Sequence, residues 1–250
     1  MIDITRNMTT IEDQHTSGAY PKRPLSIIRG EGCNVWDTDG NCYLDMTSAQ
    51  GVALLGHSHP EIVDAITTQA NTLISCPEIF YNNRRAELYR LLHTILPPEL
   101  DRFFLCNSGA EAVEGALKVA RLLTDREGII AVKRGFHGRT LGALSLTWNR
   151  KYREPFSTWQ PTVTHTTFDD FESAQQAITQ ETAAVIVEPI QGEGGVHPAS
   201  NAYLKELRHL CDAHGAMLII DEIQTGFGRS GRWFAFEHAE IVPDVVAMAK

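Results

Sequence analysis

Between residues 128 and 249 the chain returns four times to a short apolar run: 128–132 (GIIAV), 183–187 (AAVIV), 216–220 (AMLII) and 245–249 (VVAMA). Each run is too short for a comfortable helix. Apolar residues on consecutive positions, rather than on every second one, mark strands buried on both faces. Where the intervening text is periodic, it is helical: Val113, Leu117 and Ala120 share one face of 111–123, and Leu204, Leu207 and Leu210 one face of 201–214. A further strand is predicted at 102–106 (RFFLC), just before a turn of small residues at 107–110. Strands and helices alternating in this order predict an α/β fold, a largely parallel sheet with helices on both faces.

The first hundred residues are built differently. Residues 1–20 are polar and aperiodic, which predicts an arm, either loose or docked on a partner subunit. From Leu25, short apolar bursts broken by Gly30, Gly32 and Asp39-Gly40 predict a meander with a hairpin turn at 39–41, a small antiparallel sheet belonging to a second, lesser domain. Pro60 suits the first turn of a helix running to about Leu73, and a second helix, 84–95, stops at Pro97-Pro98. His57 and His59 have the spacing of two metal ligands, but no third ligand lies nearby, so a hydrogen-bonded loop is the favoured reading and no metal is predicted.

Composition narrows the class of partner. A formal charge of -9 without a lysine or arginine cluster argues against a nucleic-acid surface, where neutralising phosphates provides the affinity, and favours small molecules. The five cysteines include no C-x-x-C, so neither a disulfide frame nor a zinc knuckle is indicated, and reduced thiols fit a cytoplasmic enzyme. The amino terminus lacks a secretory pattern, and no apolar run is long enough to span a membrane.

Chemistry-bearing residues fall at the ends of the predicted strands, where open α/β sheets place their ligand crevice. The turn 107–110 opens a helix and forms an anion site if its free amides face a ligand, although Ser108 acting as a simple helix cap explains the same residues. The loop 134–140 (RGFHGRT) brings an aromatic, Phe136, able to lie flat on a planar ring or to pack internally, and Arg139, able to grip a carboxylate at two points. The loop 188–195 (EPIQGEGG) carries two acids. Asp221 and Glu222 close one strand and Lys250 follows another; a turn-forming acid and a solvated lysine are the plain readings, and an acid for a protonated ring nitrogen with a Schiff-base lysine the functional ones. Gly226, Gly228 and Gly231 spell a dinucleotide fingerprint, but DEIQT separates them from the strand, so a nicotinamide cofactor is set aside.

Taken together, NSGAEA (107–112), GFHGRT (135–140), EPIQGEGG (188–195), DEIQTGFGRSG (221–231) and PDVVAMAK (243–250) resemble the class III aminotransferases that use pyridoxal 5'-phosphate. Within that family the chain looks like the acetylornithine and lysine-biosynthesis (LysW-γ-L-lysine) aminotransferases, and TWNRKYREPF (147–156) leans towards the latter. The resemblance extends over nearly the whole chain from about Leu25. It implies aminotransferase fold type I, with an N-terminal arm at 1–20, the first part of a smaller α+β domain and a linking helix at 21–75, and a cofactor-binding large domain at 76–250.

Carried over position by position, Lys250 resembles the lysine that forms the Schiff base and Asp221 the acid that keeps the pyridine nitrogen protonated. Ser108, Gly109 and Ala110 look like the phosphate turn, Phe136 and Ile223 like the groups on the two faces of the ring, and Gln224 like the partner of its phenolic oxygen. Arg139 resembles the group that holds the far carboxylate of the donor, Glu193 the acid that masks a substrate-binding arginine, and Glu188 a further substrate-side acid. The implied reaction moves a terminal amino group from N-acetylornithine or a LysW-bound lysine-type donor to 2-oxoglutarate, giving a semialdehyde and glutamate. A carrier protein presenting the donor and a homodimer are implied as partners. Ornithine or 4-aminobutyrate as donor, and a non-catalytic fragment, are the alternatives. Family members continue beyond their lysine with a glycine-rich turn, a further arginine and a threonine reaching the neighbouring subunit, so a gene product that ended at Lys250 would be expected to bind cofactor poorly and to expose core surface, whereas the enzyme reading stands for a portion of a longer chain.

Overall fold

The computed structural model describes residues 4–250 and divides the chain into two compact units, Met1–Phe80 and Tyr81–Lys250. In the first unit, helix α1 (Ile4–His15) occupies the stretch expected to be aperiodic. The meander follows as β1 (Ile27–Glu31), β2 (Asn34–Asp37) and β3 (Cys42–Leu44), each antiparallel to the next. Its hairpin is organised by Asp37, whose carboxylate accepts bonds from the amides of Asp39 and Asn41, the Asn41 side chain and the Tyr43 hydroxyl at 2.8–2.9 Å. A single turn with positive φ, α2 (Ser48–Gly51), leads to His57, whose ring lies 2.8 Å from the Asp45 carboxylate, and then to α3 (Pro60–Thr72).

The second unit begins with α4 (Asn83–Ile95), capped by the Asn82 side chain, and α5 (Gly109–Thr124). Between them, 102–106 is a correction to the sequence reading: RFFLC joins no ladder, and Phe104 is 72% exposed. Its residue types suit a strand, but a strand exists only when a neighbour takes its amides and carbonyls. The chain continues through β4 (Gly128–Val132), α6 (Leu141–Leu146), α7 (Arg150–Arg153), β5 (Val163–Thr166), α8 (Phe171–Ala177) and β6 (Thr182–Val187). A two-residue ribbon, β7 (Ile190–Gln191) with β8 (His197–Pro198), precedes α9 (Asn201–His214), β9 (Met217–Asp221) and β10 (Val245–Ala247).

The five longer strands form one parallel sheet in the order β10-β9-β6-β4-β5. Alternate residues feed two cores. Ile130, Val132, Val185, Val187, Leu218 and Ile220 pack with Leu92, Leu204 and Leu207, whereas Ile129, Ala131, Ala184, Ile186 and Ile219 meet Val113, Leu117 and Ala120 of α5. Both faces are therefore dry, as the consecutive apolar runs require. Helix α9 ends because Gly215 adopts φ 65°, the left-handed cap that turns the chain straight into β9. At the same end of the sheet, Arg126 Nη1 donates to the carbonyls of Thr182, His214 and Gly215 at 2.7–3.2 Å, tying the entrance of β4 to those of β6 and β9.

Ile219, fully buried in the middle of the sheet, tests this arrangement. Ile219→Ala leaves a cavity that a sheet held between two neighbours cannot close, so urea unfolding should show a loss of ~2–5 kcal/mol with an unchanged denaturant slope.

Candidate active site

The carboxyl ends of β4, β6 and β9 all open on one side of the second unit, as parallel strands must, and the loops leaving them interlock. A Cβ on Gly109 would sit 2.8 Å from Ile223 Cδ1, and one on Gly138 2.8 Å from the Ala110 Cβ; the Gln224 amide fills the place of a Gly192 Cβ. Gly138 also has φ 134°, closed to side-chain-bearing residues, so both its conformation and its crowding demand glycine. By these contacts the turn 107–110 and the loops 134–140, 188–195 and 221–225 become one cluster.

Asp221 and Glu222 part company at the end of β9. Glu222, fully buried, turns into the protein: its carboxyl accepts the Thr225 hydroxyl and, at 2.9 Å, the Phe236 amide, while its own amide bonds Ala247 O at 2.8 Å. Burial raises its pKa. Asp221, 3% exposed, accepts the Ile223 amide on Oδ1 at 3.1 Å and lies 2.7 Å from His137 Nδ1 through Oδ2. His137 is equally buried. Burial disfavours its charge, but the Asp221 bond and the charges of Asp221 and Glu188 outweigh this and hold its pKa above the ordinary histidine value. Its Nε2 is buried without a hydrogen-bond partner among the described residues.

Glu188 closes the cluster from below. Its Oε2 accepts the Phe136 amide at 2.9 Å and its Oε1 the Gly192 amide at 3.3 Å. Burial pushes its carboxyl up to about 7; the charge of Asp221 adds to this, and His137 and the two amides oppose it.

The turn before α5 shows the helix cap and leaves room for the anion reading beside it. Ser108 Oγ does cap the helix, accepting the Glu111 amide at 3.2 Å. The amides of Gly109 and Ala110, at the first two helical positions, nevertheless have no intrahelical acceptor, so the helix end can take an anion. Phe136 is half-buried, and Arg139, exposed on the same loop, holds its guanidinium 5.5 Å from the Phe136 ring centroid. Glu193 is exposed on the neighbouring loop. Lys250 lies three residues beyond Ala247, the register partner of Asp221. The cluster thus collects an anion-binding helix end, a buried carboxylate backed by an imidazole and an aromatic edge, a donor set that fits a planar, phosphorylated cationic ring. His137 was missed by sequence reasoning; the one available signal was its place between Phe136 and Gly138 in a loop already singled out.

Residues 17–250 match the family described as aminotransferase class-III. The chain is 47% identical over 238 residues to an acetylornithine aminotransferase of Methanopyrus kandleri, covering 95% of this chain and 61% of that protein. To a [LysW]-aminoadipate semialdehyde transaminase of Deinococcus radiodurans it is 48% identical over 241 residues, covering 96% of this chain and 56% of that one. The ornithine aminotransferase of Toxoplasma gondii superposes with a TM-score of 0.91 at 33% identity, covering 97% of this chain and 58% of its own. The chain thus spans about three fifths of the length of the relatives it matches.

The Glu188 carboxyl makes folding sensitive to pH. Its pKa rises from 4.5 in the open chain to about 7 in the fold, so the folded state keeps the proton longer and stability falls as pH rises through that window. Glu188→Gln should remove that share of the slope, seen as a flatter plot of urea midpoint against pH; an unaltered plot would contradict the assignment.

Proposed function

Because the chain belongs to the class-III aminotransferases, we propose that its second unit, Tyr81–Lys250, holds pyridoxal 5'-phosphate and moves a terminal amino group from N-acetylornithine or a LysW-bound lysine-type donor to 2-oxoglutarate. One observation carries this reading: the buried Asp221–His137 pair, the free helix end at 109–110 and the strand that leads to Lys250 lie on the same side of one sheet. When bound, the cofactor supplies an aldehyde that captures amines and a ring that accepts electron density.

The protein's own part is then definite. Asp221, bonded to His137, holds a protonated ring nitrogen. The amides of Gly109 and Ala110, with the dipole of α5, hold the phosphate, and Ser108 keeps that helix end formed. Phe136 and Ile223 confine the ring, and Gln224, fixed against Gly192, meets its hydroxyl oxygen. The amine of Lys250 would be the base that moves a proton at the donor carbon. Arg139, exposed on the rim, meets the donor's distant carboxylate, and Glu193, exposed on the neighbouring loop, is the acid that would mask a substrate-binding arginine. Glu188, expected from the resemblance to bind substrate, has both oxygens engaged by loop amides, and we place it beneath the ring instead.

A carrier-borne donor is supported by the name of the Deinococcus radiodurans relative, and ornithine by the likeness to the Toxoplasma gondii enzyme. Exposed Ile79, Tyr81 and Leu122 support association with a second copy. Among the described residues no helix is long and apolar enough to cross a membrane, and the free cysteines support a cytoplasmic setting.

Borohydride reduction after incubation with pyridoxal 5'-phosphate should leave a stable adduct on Lys250, found by peptide mass mapping and lost in Lys250→Ala. An absent adduct, or one scattered over surface lysines, favours the non-catalytic alternative. If the adduct forms, offering N-acetylornithine, ornithine and 4-aminobutyrate with 2-oxoglutarate and measuring glutamate ranks the donors.

A further inference from the structure

Three buried titratable groups meet under the site, and the reaction as drawn uses only one. Asp221 and His137 are bonded at 2.7 Å; on the far side of the imidazole, a Cβ on Gly135 would lie 3.0 Å from His137 Nε2 and 3.5 Å from Glu188 Oε2. Nε2 is the buried atom without a hydrogen-bond partner among the described residues, and Glu188 is 7% exposed. The carboxyl of Glu188 and the one unsatisfied position of the imidazole thus border the same space beside Gly135, a residue with no side chain. From the other elements packed here, the charges acting on Glu188 are those of His137 and Asp221; His165 on β5 is kept neutral by burial, its pKa near 4.

We propose that Glu188 is a positioning residue that balances the charge of the ring-nitrogen site through His137, releasing its proton when a cationic ring is bound at Asp221. This rests on the cofactor reading above.

The charge count gives the reason. With Asp221 anionic, His137 cationic and Glu188 neutral, the empty cluster sums to zero. A ring cation at Asp221 would leave it one positive charge in excess, in a place where like charges are poorly screened. Breaking the Glu188 O–H bond, with the electron pair left on the carboxylate and the proton passing to solvent, restores neutrality; nothing is oxidised or reduced. The same carboxylate accepts the Phe136 amide, so its ionisation also tightens the loop that carries the aromatic. The neutral acid is available for release because burial keeps it protonated close to neutrality.

Calorimetric titration of the chain with pyridoxal 5'-phosphate at about pH 6, in two buffers of different ionisation enthalpy, counts the protons released on binding. Wild type should release roughly one proton more per site than Glu188→Gln, and its affinity should rise with pH where the variant's stays level. Equal proton release by the two overturns the proposal. Failure of both proteins to bind at all counts against the cofactor reading instead, and a second measurement then decides on Glu188 alone. In the cofactor-free chain, the His137 ring nitrogens followed by NMR should titrate at lower pH in Glu188→Gln than in wild type. An unchanged midpoint means that the two groups are not coupled, and the proposal falls.

Discussion

The bond between His137 and Asp221 joins residues 84 apart in sequence, and the site is arranged around it. A carboxylate taken out of water needs a partner, and Asp221 at 3% exposure finds it in the imidazole. The imidazole is in turn stranded without the carboxylate. Each makes the other's burial tolerable, so β9 and the loop after β4 must come together for either to fold well. The glycines at 109, 138 and 192 serve the same end, since a methyl group at any of them would hold the loops apart.

Much of this was legible beforehand, and the reason is local. The four apolar runs became β4, β6, β9 and β10 with boundaries shifted by no more than two residues, because a strand dry on both faces leaves its mark on every residue. Helices α5 and α9 announced themselves by spacing and by caps that lie in the sequence next to them. Where the outcome depended on a neighbour, sequence reading failed. RFFLC has the residues of a strand and no partner; β5 (VTHT) is mostly polar and becomes a strand because β4 pairs with it. α1 lies in a polar text whose period gave nothing away.

The site divides in the same manner. Asp221 and Lys250 stood out as candidates because strand ends are where open sheets bind ligands, and the helix end after Ser108 because small residues before a helix leave amides free. The part played by His137 could not be read, since it depends on a carboxylate arriving from another strand. Nor could the different fates of two adjacent acids: Asp221 and Glu222 look alike in the sequence, and only the alternation of β9 sends one to the crevice and the other to the Phe236 amide. Glu188 is a similar case, an acid in a glycine-rich loop whose burial and whose neighbours at 136, 137 and 192 are properties of the assembled fold.

Arg126 sits at the opposite pole, its guanidinium shared among three carbonyls where β6 and β9 set out. One cation thereby fixes the floor of the sheet without touching any loop on its rim. Insertions or exchanges in the rim loops can accumulate without loosening that floor, so the loops are free to drift through evolution while the architecture beneath them is inherited intact.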